Sequence, residues 1–150
     1  MDTFKQQLVS LYLQLLQDKI DAFQDMIAGL ASDAQNDAKS SAGDKHETAL
    51  SMMHLEQEKL NHKLTEYNIQ KQKLQKIDIN VVSEVIVLGS LVQTNGLLIF
   101  ISEALPKVVI DGSNVFAVSV QSPLGSQLMG KKQHDKVSVN GVTYTIENIL

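Results

Sequence analysis

The chain contains no cysteine, and all thirteen of its basic Lys and Arg residues are lysine. Without thiols, disulfides, thiolate metal sites and cysteine nucleophiles are all excluded. Arginine is the usual bidentate clamp for phosphate, so its absence, together with a net charge of -4, argues against independent binding to DNA or RNA. Nothing in the sequence approaches the roughly 18 apolar residues of a membrane span, and Met1-Asp2-Thr3-Phe4-Lys5-Gln6 does not open a secretory leader. The expectation is a soluble, unprocessed, cytoplasmic chain without membrane contact. Helix breakers are scarce at first: up to Asp78 there is no proline, and Gly29 and Gly43 are the only glycines.

Composition shifts near Asp78, from Gln, Lys, Asp and Leu to Val, Ile, Gly and Ser. Among 150 residues this marks two domains, 1–78 and 79–150. In the first, Val9, Leu13, Leu16, Ile20, Phe23, Ile27 and Leu30 recur at spacings of four and three, the stripe of a packed helical seam. Met53, Leu60, Leu64, Tyr67 and Leu74 continue the register on a second helix, with Gln57 and Lys71 as polar interruptions. Leu8, Leu11 and Leu15 lie beside the seam and predict a further packing partner for the first helix. The stretch Ser32 to Gly43 lacks large apolar residues and reads as the turn that folds the helices into an antiparallel hairpin. A helix of about 30 residues reaches roughly 45 Å, more than a globular core needs.

The second domain reads as strands. Val85–Val92 and Leu97–Ile101 flank Asn95-Gly96, while Lys136–Val139 and Val142–Ile146 flank Asn140-Gly141. Asn-Gly is a strong hairpin signal because it tolerates positive φ at both turn positions. Lys107–Ile110 and Val115–Val120 add further strands around Asp111-Gly112. Ser122-Pro123 opens a short helix, with Ser as N-cap and Pro in the first helical position, ending at Gly130. Leu124, Leu128 and Met129 are expected to face the sheet. The fold class is α+β: a coiled-coil hairpin followed by a small antiparallel sheet carrying one helix.

Chemistry concentrates where the helices turn. Asp44 and Glu47 sit three positions apart in Gly43-Asp44-Lys45-His46-Glu47-Thr48-Ala49. Residues at i and i+3 share one helix face, so the two carboxylates can act on one hard cation such as Mg²⁺. The plain alternative is a capping box, Asp44 accepting from first-turn N–H groups and Glu47 reaching back. His46, His54 and His62 recur every eight residues, a poor match to the helical period for a metal site. Asp18, Asp21 and Asp25 read as a solvated face, and Lys131 and Lys132 as either a helix-dipole complement or a contact surface. No nucleophile elbow supports a Ser-His-Asp reading.

The stretch Ser122-Pro123-Leu124-Gly125-Ser126-Gln127-Leu128-Met129-Gly130-Lys131-Lys132, followed by Asp135-Lys136-Val137, resembles the C-terminal domain of the bacterial Gre transcript cleavage factors. The tip resembles the same family, which carries Gly-Asp-x-x-Glu-Asn-Ala-Glu-Tyr between its coiled-coil helices. The two motifs stand in the family's order, and the resemblance spans nearly the whole chain. It implies an FKBP-like second domain that docks on RNA polymerase through residues such as Ser122, Pro123, Gly130, Lys131 and Lys132. It further implies a hairpin entering the secondary channel, where Asp44 and Glu47 help hold a catalytic Mg²⁺ jointly with the polymerase. Backtracked RNA would then be cleaved near its 3′ end, close to Lys39, Lys45 and His46. The free protein would not be an enzyme. Thr48, Leu50 and Ser51 stand where the family has Asn, Glu and Tyr, so a channel-binding regulator without cleavage is an open alternative. A coiled-coil chaperone or assembly module explains the seam but does not require the acids.

Overall fold

A computed structural model describes residues 3–40 and 44–150; the side chains of 34–40 and 44–46 lie outside the description. Two long helices, α1 (Phe4–Ser40) and α2 (Asp44–Lys76), contact each other and precede a six-stranded sheet with one short helix, an α+β architecture. The strands are β1 (Leu91–Thr94), β2 (Leu97–Ser102), β3 (Leu105–Ile110), β4 (Ser113–Ser119), β5 (Lys136–Val139) and β6 (Val142–Ile149), with α3 (Pro123–Leu128) between β4 and β5. The chain divides into two compact units, Leu13–Gln72 and a second made of Met1–Tyr12 with Lys73–Leu150.

Leu13–Gln72 is the helical hairpin. Lys71 meets Gln17 and Tyr67 meets Phe23, so numbers fall along α2 as they rise along α1 and the helices are antiparallel. On α2 the positions Met53, Gln57, Leu60, Leu64, Tyr67 and Lys71 are each half-buried, at the spacing of a seam. On α1, Leu16 and Ile20 are buried, and Phe23, Ile27 and Leu30 are half-buried. The Phe23 and Tyr67 rings lie 5.4 Å apart and tilted, a favourable arrangement for two π-faces. One expectation fails over most of its length: Ser32 to Ser40 belongs to α1 and not to a turn, while residues 41–43 of the expected turn lie outside the described residues. From Leu30 to Ser40 there is neither glycine nor proline, and Ala31, Ala34 and Ala38 favour the helix.

The other unit is built on a sheet of order β3-β4-β2-β1-β6-β5. The expectation of an antiparallel sheet holds for every pairing except β2 with β4, which is parallel. The chain leaving β2 forms edge strand β3, then turns at Asp111-Gly112 and inserts β4 between them. Positive φ at both residues makes that turn, and the Asn140-Gly141 turn does the same. At Asn95-Gly96 only Gly96 is left-handed, and the Asn95 side chain instead accepts from the Thr145 N–H at 2.8 Å. The strand expected over Val85–Val92 begins only at Leu91. Before it, Val85 bridges to Lys132 and the chain bends at Gly89, whose φ of +93° and close approach to the Asp78 carbonyl both demand glycine.

β2 is buried on both faces. Ile99 and Ile101 join Ile86, Val92, Leu128, Val137 and Ile146 in one core, against which Leu124 packs. Met129, expected in this core, is 36% exposed because it lies at the helix C-cap, where the backbone leaves the helix. On the opposite face Phe100 is stacked by Tyr12, ring centroids 6.5 Å apart and nearly parallel. Leu8, Tyr12 and Leu74 are fully buried in this unit, so Leu8 has the packing partner expected for it. Val9, assigned to the seam from its spacing, is only half-buried, and the burial phase is carried by Leu8 and Tyr12.

Candidate functional site

The cross-helix pairs Gln17–Lys71 and Phe23–Tyr67 centre on residues 44 and 45, and the acid pair stands in the first turn of α2. Asp44 is the first residue of α2 and Glu47 lies three positions on in the same helix. The Glu47 side chain is exposed. The side chains of Asp44, Lys39, Lys45 and His46 lie outside the described residues, so the structure supports their backbone placement alone. The donor chemistry suits a hard cation, since carboxylate oxygens are what Mg²⁺ prefers, whereas the positive end of the α2 dipole favours the acids themselves and not a cation beside them. Two carboxylates leave most of the octahedral shell to other ligands.

The remaining candidates on the hairpin are accounted for locally. His54 is exposed, and His62 pairs with Glu66 at 3.3 Å on the helix surface. Asp18, Asp21 and Asp25 are exposed, as a solvated face requires; Asp18 and Asp21 accept from Gln14 and Gln17 one turn earlier.

The second cluster of candidates lies around α3. Ser122 is its N-cap: the Oγ accepts from the Gly125 N–H at 3.0 Å and donates to the Ser119 carbonyl at 2.7 Å. Pro123 follows in the first helical position, where its missing N–H costs nothing. Gly125 is buried, and a Cβ there would overlap the Ser119 carbonyl oxygen, so the helix can reach β4 only through glycine. In the sequence the signal for this close approach is a glycine one turn after the Ser122 N-cap, and its burial appears only in the tertiary structure.

Gly130, at φ +79°, turns the chain out of the helix. Its N–H donates to the Ile86 carbonyl at 2.8 Å, and the Ile86 N–H donates to the Lys131 carbonyl at 2.8 Å. Asp135 closes the other side, its carboxylate accepting from the Lys132 N–H at 2.8 Å. Lys131 is half-buried and Lys132 exposed. The structure thus brings Ser122, Pro123, Gly130, Lys131 and Lys132 together on one helix and its following loop. They belong to a different unit from the tip acids.

Cavities of about 570 and 460 Å³ lie beside Phe4, Leu91 and Leu150, and none of the site residues expected around α3 lines them. In the smaller one, burial lowers the pKa of the Lys5 amine, partly offset by Asp78, and its Nζ donates to the Ile79 carbonyl at 3.3 Å.

Compared with known proteins, the chain matches no family model and no curated sequence.

Proposed function

We propose that this protein is a transcription elongation factor that inserts its hairpin into the secondary channel of RNA polymerase and stimulates cleavage of backtracked RNA. The observation that carries the reading is that the acid pair stands in the first turn of α2, the end of that helix opposite the one that leads into the sheet unit. A coiled coil stores its pairing information along the seam, and acids at its end add nothing to that packing. They are suited to a ligand outside the chain. Asp44 and Glu47 would help hold a Mg²⁺ ion whose other ligands come from the polymerase and the RNA phosphate. When bound, that ion would steady the attacking and leaving oxygens of phosphodiester hydrolysis. The Ser122–Lys132 stretch supports the same reading through its resemblance to the Gre docking domain, and Ser122, Pro123, Gly125 and Gly130 each have a defined place in its local structure.

A second reading keeps the partner but removes the chemistry: a channel-binding regulator that does not stimulate cleavage. Thr48, Leu50 and Ser51 favour it, since they replace an amide, an acid and an aromatic ring beside the acid pair.

The test is a cleavage assay on a stalled, backtracked polymerase from the same host with Mg²⁺. Wild-type protein should speed release of short 3′ RNA fragments, and the Asp44→Ala/Glu47→Ala variant should bind the polymerase but lose that stimulation. Equal activity of the two proteins would sink the cleavage role. Competition for the secondary channel without cleavage by either would favour the regulator, and suppression of client aggregation without polymerase affinity would favour a chaperone.

A further inference from the structure

Lys71 places an ammonium group in the middle of an otherwise largely apolar stripe, with Leu64, Tyr67 and Leu74 at the neighbouring seam positions. Lys71 is half-buried, and partly desolvating a cation without a partner is costly, so its surroundings carry information. Lys71 Nζ donates to Gln17 Oε1 across the hairpin at 2.6 Å. The same amide is held from its other end: Gln17 Nε2 donates to Asp21 Oδ1 at 2.9 Å. Asp21 therefore fixes which end of the Gln17 amide faces the seam, and cation, amide and carboxylate form one chain of hydrogen bonds.

We propose that Lys71, Gln17 and Asp21 form a register lock for the hairpin. Leucine and isoleucine side chains at heptad spacing fit their neighbours almost equally well after a slip of seven residues, whereas a polar seam residue specifies one alignment, commonly at some cost in stability. A slip of seven would set Lys71 opposite Ser10 or Gln24. Neither has an acid four residues on to hold it, since Gln14 and Ala28 occupy those positions. Of the three positions related by a slip of seven, Gln17 alone has both the acceptor and the carboxylate that orients it; Gln14, which donates to Asp18 in the same way, lies three residues away and is not reached by such a slip. α2 is one helix from Asp44 to Lys76, so a slip of seven residues at Lys71 would move its N-terminal end by about 10 Å relative to α1. If the tip acids act as proposed above, these three are positioning residues for that chemistry. The register itself does not rest on that reading.

The absence of native cysteine makes the test direct. Nitroxides on Asp25→Cys and Lys59→Cys, both exposed, report the alignment of α1 and α2 by pulsed electron resonance without polymerase present. The wild-type pair should give one narrow distance. Gln17→Leu/Lys71→Leu should remain helical, with an unchanged or raised melting temperature, yet show a second population displaced by the slip. The exchange variant Gln17→Lys/Lys71→Gln keeps an amine and an amide across the seam and should retain the single distance; it also carries the test should the leucine variant fail to fold. A single wild-type distance in the folded leucine variant, or two distances in the exchange variant, would overturn the lock.

Discussion

Replacing Tyr12 tests whether the start of α1 belongs to the sheet unit. Its ring is fully buried and stacked on Phe100, and its hydroxyl donates to the Pro106 carbonyl at 2.9 Å. Tyr12→Phe keeps the stack and removes one hydrogen bond, leaving a partly buried carbonyl without that donor, which should cost about 1–2 kcal/mol. Tyr12→Ala also removes the ring and opens a cavity over Phe100, for about 3–5 kcal/mol. Urea unfolding followed by circular dichroism reads both differences.

Burial pushes the Tyr12 hydroxyl up from 10.0 to about 12. The folded state therefore holds the neutral form. Its contribution is complete below pH 10 and is lost as pH rises from there through about 12, because the unfolded chain ionises first. The stability gap between wild type and Tyr12→Phe should accordingly narrow over that interval, with the other alkaline titrations common to both proteins. Equal stability of wild type and Tyr12→Phe at pH 7, with a gap that does not change toward pH 11, would refute the placement of this hydroxyl.

Other substitutions test single features. Gly29 lies inside α1 with open space where a Cβ would stand, so Gly29→Ala should stabilise the hairpin by about 0.5–1 kcal/mol, seen as a raised urea midpoint. Gly125→Ala must displace α3 from the Ser119 carbonyl and should cost about 1–3 kcal/mol, with shifted amide resonances from Ser119 to Gly130. Ser122→Ala removes the cap of α3 and should cost about 0.5–2 kcal/mol, with faster amide exchange at Gly125; unchanged exchange there would count against the cap.

Short-range rules made much of this protein legible. The 3-4 stripe from Leu16 to Leu30 and from Met53 to Lys71 marks the hairpin, because a helix shows the same face at that spacing. Ser122-Pro123 marks the start of α3, because capping is a contact between near neighbours. The acid pair was visible for the same reason, although its role depends on a partner. Other features rest on contacts between residues far apart in the chain. The parallel β2–β4 pair follows from where β3 finds room at the sheet edge, and Asn95 leaves the expected turn geometry while its side chain reaches Thr145. Tyr12 is stacked on Phe100 and bonded to Pro106, the latter 94 positions away, so no local pattern could separate it from the seam. Lys71 looked like an interruption in the sequence; only the pairing of α1 with α2 shows that its amine ends on Gln17. Sequence periodicity determines which face of an element is apolar, and tertiary packing decides what that face meets.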